Sequence, residues 1–421
     1  MALSDQCGDH TQRVLDILSR FTSAFPQGRP SAVVQGQTRG DVILVTGTTG
    51  GLGCNILAHL CLDPHVKKIY ALNRSSPHKG LEERQVEIFK QRGVLEDCLN
   101  HPKYQLVEAR LSEPLLGLNT ELYTEICESV THIIHSAWSI NLVKPLDNFE
   151  DCLQGTRNLI DLAVASPQLT IPKFVFVSSI SAVRNYSGVS VPEEPIPDPS
   201  VCFGFGYSES KWVGEQIVYH ASQSTGLRAT SVRVGILCGD RNGHWNTSEL
   251  YPSVVKSALE LRYLPNTEDA LLPWIPTFEA AGILCAMRNS EHPVLHLESP
   301  NPAVWSEVFG MLAKELGVSL MPDDVWLSLL QDYSNHGDLP KAERRARVPA
   351  IDFIPYLLDV DFSTYRYQGY PHVDTSKAVQ VVPMLKDIRI TEEMVTKWVN
   401  HWREIGFLPR KETLRAVRSK L

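Results

Sequence analysis

The chain of 421 residues has no C-x-x-C pair, no internal repeat, no low-complexity tract and no excess of basic charge. Each absence removes a class of protein. Nine cysteines, at positions 7, 54, 61, 98, 127, 152, 202, 238 and 285, are odd in number and scattered, which excludes a zinc module or a disulfide framework and leaves reduced, mostly buried thiols. No metal site is expected. With 40 basic against 48 acidic residues the net charge is −8, so the electrostatic footprint of a general nucleic-acid or membrane-surface binder is missing. The opening MALSDQCGDHTQRVLDILSRF carries charges inside its apolar stretch and reads as neither a secretory signal nor a spanning helix, so a cytoplasmic location is expected. The N-x-S/T triplets at Asn185 and Asn246 are then read as chance.

What is present points to a large α/β enzyme. With 43% hydrophobic residues the chain can bury a sizeable core, enough for two or three domains or one enlarged one. Apolar runs at 42–46, 67–73, 104–108, 131–135, 173–179 and 228–234 read as strands, with helical patterns such as 51–62, 81–92, 147–166 and 207–222 between them. That alternation predicts a Rossmann-type doubly wound parallel sheet over 41–240. Residues 1–40 read as an amphipathic helix and a Pro/Gly/Gln linker. Past about residue 240 the alternation weakens: one return to the sheet is expected at about 272–300, and 241–421 is otherwise a smaller, mostly helical substrate-binding region. The charged stretch 333–349 reads as a loop or short helix.

The stretch VILVTGTTGGLGCNIL, residues 42–57, carries the first chemical signal. A buried strand runs into Gly47, Gly50 and Gly53, spaced G-x-x-G-x-x-G, where missing Cβ atoms permit a tight turn, close approach of a pyrophosphate and close helix packing. The following helix offers free N–H groups to phosphates. The second strand, KKIYALNR, ends on Asn73 and Arg74. A carboxylate in that region would bind free ribose hydroxyls, whereas Arg74, with Arg84 one helical stretch later, suits a 2′-phosphate.

Further along, KFVFVSSISAV places Ser178, Ser179 and Ser181 at the end of a buried strand, and GYSESKWVGEQIV opens a helix with Tyr207 and Lys211. The i, i+4 spacing puts phenol and ammonium on one helix face, where the cation favours tyrosinate and makes the phenol a usable proton donor. A serine hydroxyl can hold a substrate carbonyl, and hydride transfer from a nicotinamide then needs little more than alignment.

TGTTGGLG, YALNR, FVSSISAV and GYSESKWVGEQ together resemble the extended short-chain dehydrogenase/reductases. More narrowly, with RVGILCGDRNGHWNTSELYPSVVKSALELRYLP at 233–265 and the ending HVDTSKAVQVVPML, they resemble the thioester reductase domains of fungal peptide-synthetase-like adenylating reductases and polyketide synthases. The resemblance spans roughly 40–405. It implies that Gly47, Gly50 and Gly53 form the phosphate loop, lined by Thr49 and Leu52; that Arg74 and Arg84 read the ribose phosphate beside Asn73; and that Ser136, Ala137 and Trp138 flank the nicotinamide half. Ser179, Tyr207 and Lys211 take the catalytic roles, with Ser178 and Ser181 as competing serines. One departure stands out: where the family commonly has Asp-Leu to contact adenine, this chain has Arg110-Leu111, and an Arg cannot accept the adenine amino hydrogen bond.

The reaction implied is reduction by NADPH of an acyl thioester, held on the phosphopantetheine arm of a carrier protein, to an aldehyde. With no adenylation domain or carrier serine motif in the sequence, the chain reads as an excised terminal domain, expected to be monomeric, with its N-terminal helix and linker as the tether. Lys341, Arg344, Arg345, Arg347 and the tail RKETLRAVRSKL are the basic groups that could meet an acidic carrier. The alternatives are an NAD(P)-dependent sugar-nucleotide epimerase or dehydratase, a reductase of free aldehydes or ketones, and a non-catalytic cofactor sensor, for which Tyr207 and Lys211 would be superfluous.

Overall fold

The computed structural model describes residues 2–26, 40–94, 98, 100–267, 270–336, 339–359 and 369–410. The chain divides into two compact units, the first comprising Met1–Gly235, Phe278–Glu298 and Pro371–Lys386 and the second the remainder.

The first unit is built on seven strands: β1 (Asp41–Thr46), β2 (Val66–Asn73), β3 (Tyr104–Glu108), β4 (His132–His135), β5 (Lys173–Ser179), β6 (Ala229–Val234) and β7 (Val294–Leu297). Their spatial order is β7-β6-β5-β4-β1-β2-β3 and every pairing is parallel. Parallel strands with helical crossovers are covered on both faces, which is why these strands are nearly continuous runs of Val, Ile, Leu and Phe and why Ile43, Leu44, Val45, Ile133, Ile134 and Phe176 are fully buried. Chain order reverses between β1 and β4, and at such a switch point the crevice beyond the strand ends is the natural ligand position.

Six helices accompany β1–β6: α1 (Ala2–Thr22), α2 (Gly51–Leu62), α3 (Leu81–Gln91), α4 (Thr120–Ser129), α5 (Glu150–Ala165) and α6 (Gly206–Thr225). α1, read from the sequence together with its linker as a tether, docks on α5 and α6. Arg157 of α5 donates to the carbonyls of Phe21, Ser23 and Ala24, satisfying acceptors that a helix end leaves free. His10 of α1 bonds Glu209 of α6 at 2.9 Å.

β7 follows α7 (Thr277–Met287), within the stretch 272–300. A second return, 371–386, lies in the region the sequence leaves to the C-terminal part. It is held by contacts distant in sequence: the buried Glu193 carboxylate accepts N–H bonds from Lys377 and Ala378 at the start of the short helix Ser376–Val381, while Val191 bridges Val373.

The second unit has an aromatic core. Six of the eight tryptophans, Trp245, Trp274, Trp305, Trp326, Trp398 and Trp402, are buried there, with Trp305 stacked on Phe309 at 4.2 Å. Its strands are two to four residues long, too short for periodicity to reveal. Within 333–349 the charged residues form a seven-residue helix, Lys341–Arg347. Among the described residues no helix is long and apolar enough to cross a membrane, and no cluster of ligands suits a metal ion.

Candidate active site

The glycine loop follows β1 directly. Gly47 has φ +78°, and a Cβ there would lie 2.9 Å from the Cα of Ala137. A Cβ on Gly53 would lie 2.1 Å from the Gly47 carbonyl oxygen, so both positions require glycine. Gly50 is the N-cap of α2 and supplies no side-chain cap, and the first turn, which includes Leu52, holds no acidic residue. The helix therefore presents unfilled N–H groups at its positive end, the arrangement that receives a phosphate.

Three side chains that sequence reasoning missed, Thr46, Thr48 and Gln85, join Asn73 in pinning this loop. The Thr46 hydroxyl accepts from the N–H groups of Ser136 and Ala137, fastening the segment after β4 to β1. Thr48 donates to the Gln85 carbonyl oxygen at 2.8 Å, and Gln85 returns a bond to the Thr48 backbone. Asn73 accepts the Thr49 N–H and donates to the Thr48 hydroxyl. Asn73 is thus buried and spent on holding the loop, which explains why an amide, rather than a carboxylate, ends β2. Gln85 was legible in principle: it shares the inward stripe of α3 with Phe89 at i, i+4, a polar residue on an apolar face.

Arg74 is exposed just beyond β2. Arg84 reaches back to donate to the Arg74 carbonyl, which brings the two side chains' origins together, and its buried Nε has no partner among the described residues. Arg92, also missed, lies against the start of α2: its Nη2 is 2.7 Å from where a Gly51 Cβ would be. Leu111 packs against Gly155 of α5 and its carbonyl accepts from Asn158. The departure at Arg110 is accounted for locally by an ion pair with Glu113 at 3.0 Å.

Across the switch point, α6 carries the second group. Gly206 lets its first turn seat on the chain at 144–146, where a Cβ would meet the Lys144 carbonyl at 2.4 Å. Tyr207 is half-buried, its ring edge-on to Phe149. One turn later Lys211 is buried, donates to the Val177 carbonyl at 2.7 Å, and places its Nζ 4.2 Å from the Trp138 ring centroid and 5.9 Å from that of Tyr207. Burial pushes the Lys211 pKa down to about 7, with Glu215 opposing the fall. The Trp138 face favours the ammonium. Gly214 makes this approach possible, since a Cβ there would be 2.6 Å from the Phe176 ring. His135, close by, is held neutral by burial first and the Lys211 charge second, with its pKa at about 3.

The three serines separate by their partners. Ser178 is buried and donates to Glu215, which also receives Arg233 in a two-pronged pair with bonds of 2.8–3.1 Å. Ser181 is buried and donates to the Ser179 hydroxyl at 3.0 Å. Ser179 is half-exposed and accepts from both the N–H and the hydroxyl of Ser181, so its own hydrogen is committed to neither bond.

Glycine cradle, uncapped helix and switch-point crevice define an NAD(P)-binding α/β protein of the doubly wound class. The chain belongs to the male sterility protein family of NAD-binding domains, which matches residues 45–277. It is 36% identical over 413 residues to adenylate-forming reductase Nps10 of Heterobasidion annosum, covering 95% of this chain and 38% of the relative. It is 29% identical to 3-methylorcinaldehyde synthase tropA of Talaromyces stipitatus, over 93% of this chain and 15% of that protein. The chain thus spans well under half the length of these curated relatives. Its fold is shared with the terminal R domain from the myxalamid PKS-NRPS biosynthetic pathway, with a TM-score of 0.77 at 24% identity over 94% of this chain and 99% of that one.

Proposed function

We propose that the protein reduces a carrier-bound acyl thioester to an aldehyde with NADPH. The observation that carries this reading is that Lys211, with its Nζ 5.9 Å from the Tyr207 ring, bonds the carbonyl of Val177 two residues before Ser179, at the same edge of the sheet as the glycine loop and the uncapped start of α2. The relatives named as reductases and as an aldehyde synthase support the reaction class.

The residues fit the cofactor. The first turn of α2 and the loop Gly47 to Gly53, with Thr49 and Leu52, would hold the pyrophosphate; Arg74 and Arg84 would hold the 2′-phosphate; and Ser136 and Ala137 would flank the nicotinamide half, with Leu111 on the adenine side. When bound, NADPH supplies the hydride for the thioester carbonyl carbon. Ser179 uses its uncommitted hydroxyl hydrogen to hold the carbonyl oxygen. Tyr207 gives its phenolic proton as negative charge develops on that oxygen, and Lys211 as an ammonium stabilises the phenolate left behind. Collapse of the hemithioacetal then releases free thiol and aldehyde, for one hydride and one proton consumed.

A phosphopantetheine arm on a carrier domain is the substrate form this reading expects. The basic residues of Lys341–Arg347 are weak candidates for docking it, because Arg345 pairs with Asp352 at 2.9 Å and Arg347 with Glu343 at 2.8 Å. The tail 411–421 lies outside the described residues. The test is incubation of the protein with NADPH and an acyl-pantetheine thioester: loss of NADPH absorbance with equimolar aldehyde is expected. NADPH oxidation without aldehyde, or reduction of free ketones alone, would sink the reading.

A further inference from the structure

His135 ends β4 with its ring inside the protein, between Thr46 of β1 and Thr156 of α5, both fully buried. Its Nδ1 lies 2.8 Å from the Thr46 hydroxyl and its Nε2 3.1 Å from the Thr156 hydroxyl. Neither distance says which ring nitrogen carries the proton, but the surrounding bonds do. Thr46 Oγ1 accepts the N–H groups of Ser136 at 3.1 Å and Ala137 at 3.0 Å, and a hydroxyl has two acceptor sites and one hydrogen. With both acceptor sites filled, the Thr46 hydrogen points to Nδ1, which is therefore the bare nitrogen. On the other side Thr156 gives its hydrogen to the Cys152 carbonyl one helical turn back, at 2.9 Å, and so receives the proton of Nε2. His135 is thus the neutral tautomer protonated at Nε2, in keeping with a pKa that burial first, and the Lys211 charge second, hold at about 3.

This wiring fixes the segment 136–138, which spans the switch point. At its start two N–H groups face one hydroxyl, and Ala137 fills the space in front of Gly47, where a Cβ would lie 2.9 Å from its Cα. At its end the Trp138 indole N–H donates to Ser210 of α6 at 3.1 Å, with the ring against Lys211. The first fastening depends on the rotation of the Thr46 hydroxyl. An acceptor at Nδ1 holds that rotor still; without one, its buried hydrogen has no partner, and each turn in search of one swings an acceptor site away from an N–H.

We propose that His135 is a positioning residue for the dinucleotide: by accepting at Nδ1 it orients the Thr46 hydroxyl, which holds Ser136 and Ala137 in place beside the nicotinamide half. The inference rests on the dinucleotide reading above, and it assigns the effect to the acceptor atom rather than to the bulk of the ring.

Two substitutions separate acceptor from bulk. His135→Asn keeps an oxygen where Nδ1 stands and loses the reach to Thr156, whereas His135→Gln reaches Thr156 and leaves no acceptor beside Thr46. The full chain, with its histidines labelled with nitrogen-15, is first examined without ligand by two-bond proton–nitrogen correlation, the His135 signal being the one absent from the His135→Asn protein. A neutral ring protonated at Nε2 is expected, and a ring protonated at Nδ1 overturns the proposal. Calorimetry with NADP⁺ then reads positioning without any thioester. His135→Gln and Thr46→Val should each raise the Kd about tenfold, the value of one well-made hydrogen bond, while His135→Asn stays within about threefold of wild type. Combining Thr46→Val with His135→Gln should weaken binding no further than Thr46→Val alone, because the two act through one hydroxyl. Equal Kd values for the folded His135→Asn and His135→Gln proteins, or fully additive losses in the double variant, overturn the proposal. If wild type binds no NADP⁺, the dinucleotide reading itself fails and the proposal falls with it; if wild type binds and the two His135 variants match, only the proposal falls.

Discussion

Replacing Trp138 with leucine should move the pH dependence of the reaction without removing any group that touches the reacting carbonyl. Lys211 is buried, with its pKa pushed down to about 7, and the Trp138 face 4.2 Å from its Nζ is one of the few features favouring its charge. A desolvated cation over an indole gains about 0.5–2 kcal/mol. At 1.36 kcal/mol per pH unit, its loss lowers the Lys211 pKa by about 0.4–1.5 pH units. The ammonium is the competent form, so activity is full at low pH and declines as pH rises through that pKa; in the variant the decline comes earlier. The assay is kcat/KM for the thioester at saturating NADPH, which reports the ionisations of the protein in the form that captures the thioester, followed from about pH 5 to 9. Trp138→Phe, with a weaker ring face, should fall between. A leucine variant with wild-type unfolding behaviour and an unmoved alkaline limb would refute the assignment of that limb to Lys211.

Arg74→Ala and Arg84→Ala should each raise the KM for NADPH by about tenfold and leave that for NADH nearly unchanged, because only the 2′-phosphate loses a charge-assisted bond; equal effects on both cofactors would remove the phosphate-reading role. Of the serines, Ser179→Ala should lower kcat by about 10²–10³, whereas Ser181→Ala, measured the same way, should stay within a few fold and Ser178→Ala should lower stability instead. Glu215→Gln leaves the fully buried Arg233 without a counter-charge and should cost about 3–5 kcal/mol in urea unfolding; a loss under 1 kcal/mol would show that the pair does not hold β6 to α6. Glu298 has a folded pKa of about 8, above an unfolded value of about 4.3, so the folded protein binds the extra proton between those pH values and its stability falls as pH rises through that window. Unfolding midpoints of wild type and Glu298→Gln should therefore diverge from about pH 5 to pH 8 in the variant's favour, and parallel midpoints would count against a neutral buried acid.

The parallel sheet and the glycine loop were legible because each rests on chemistry local in sequence: strands buried on both faces read as unbroken apolar runs, and a turn that needs φ > 0 and close approach shows as glycine. The second unit was not, because its order comes from tryptophans distant in sequence, as where Trp245 meets Trp274 and Trp398. No window of residues contains that contact. The return of 371–386 was hidden for the same reason, since it depends on the Glu193 carboxylate almost 200 positions away.

The serine ambiguity shows most directly where sequence stops. Ser178, Ser179 and Ser181 are chemically identical in the string SSIS, and pleat alternation alone points Ser178 and Ser179 to opposite faces without saying which face holds the substrate. The decision is made by Glu215, four residues after Lys211 on α6, which takes Ser178 and Arg233 together. The Ser178 hydroxyl is thereby committed to a carboxylate that is itself paired with Arg233, which leaves it no hydrogen for a substrate carbonyl. Ser179, the next residue, accepts two bonds from Ser181, and among the described residues its hydroxyl donates none. A hydroxyl that accepts twice has its hydrogen left to donate, and that is the property a developing oxyanion requires. In the proposed reaction the ion pair behind Ser178 is what leaves Ser179 as the serine to hold the carbonyl, and a change of Glu215 that frees Ser178 should blur the difference in kcat between the Ser178→Ala and Ser179→Ala backgrounds.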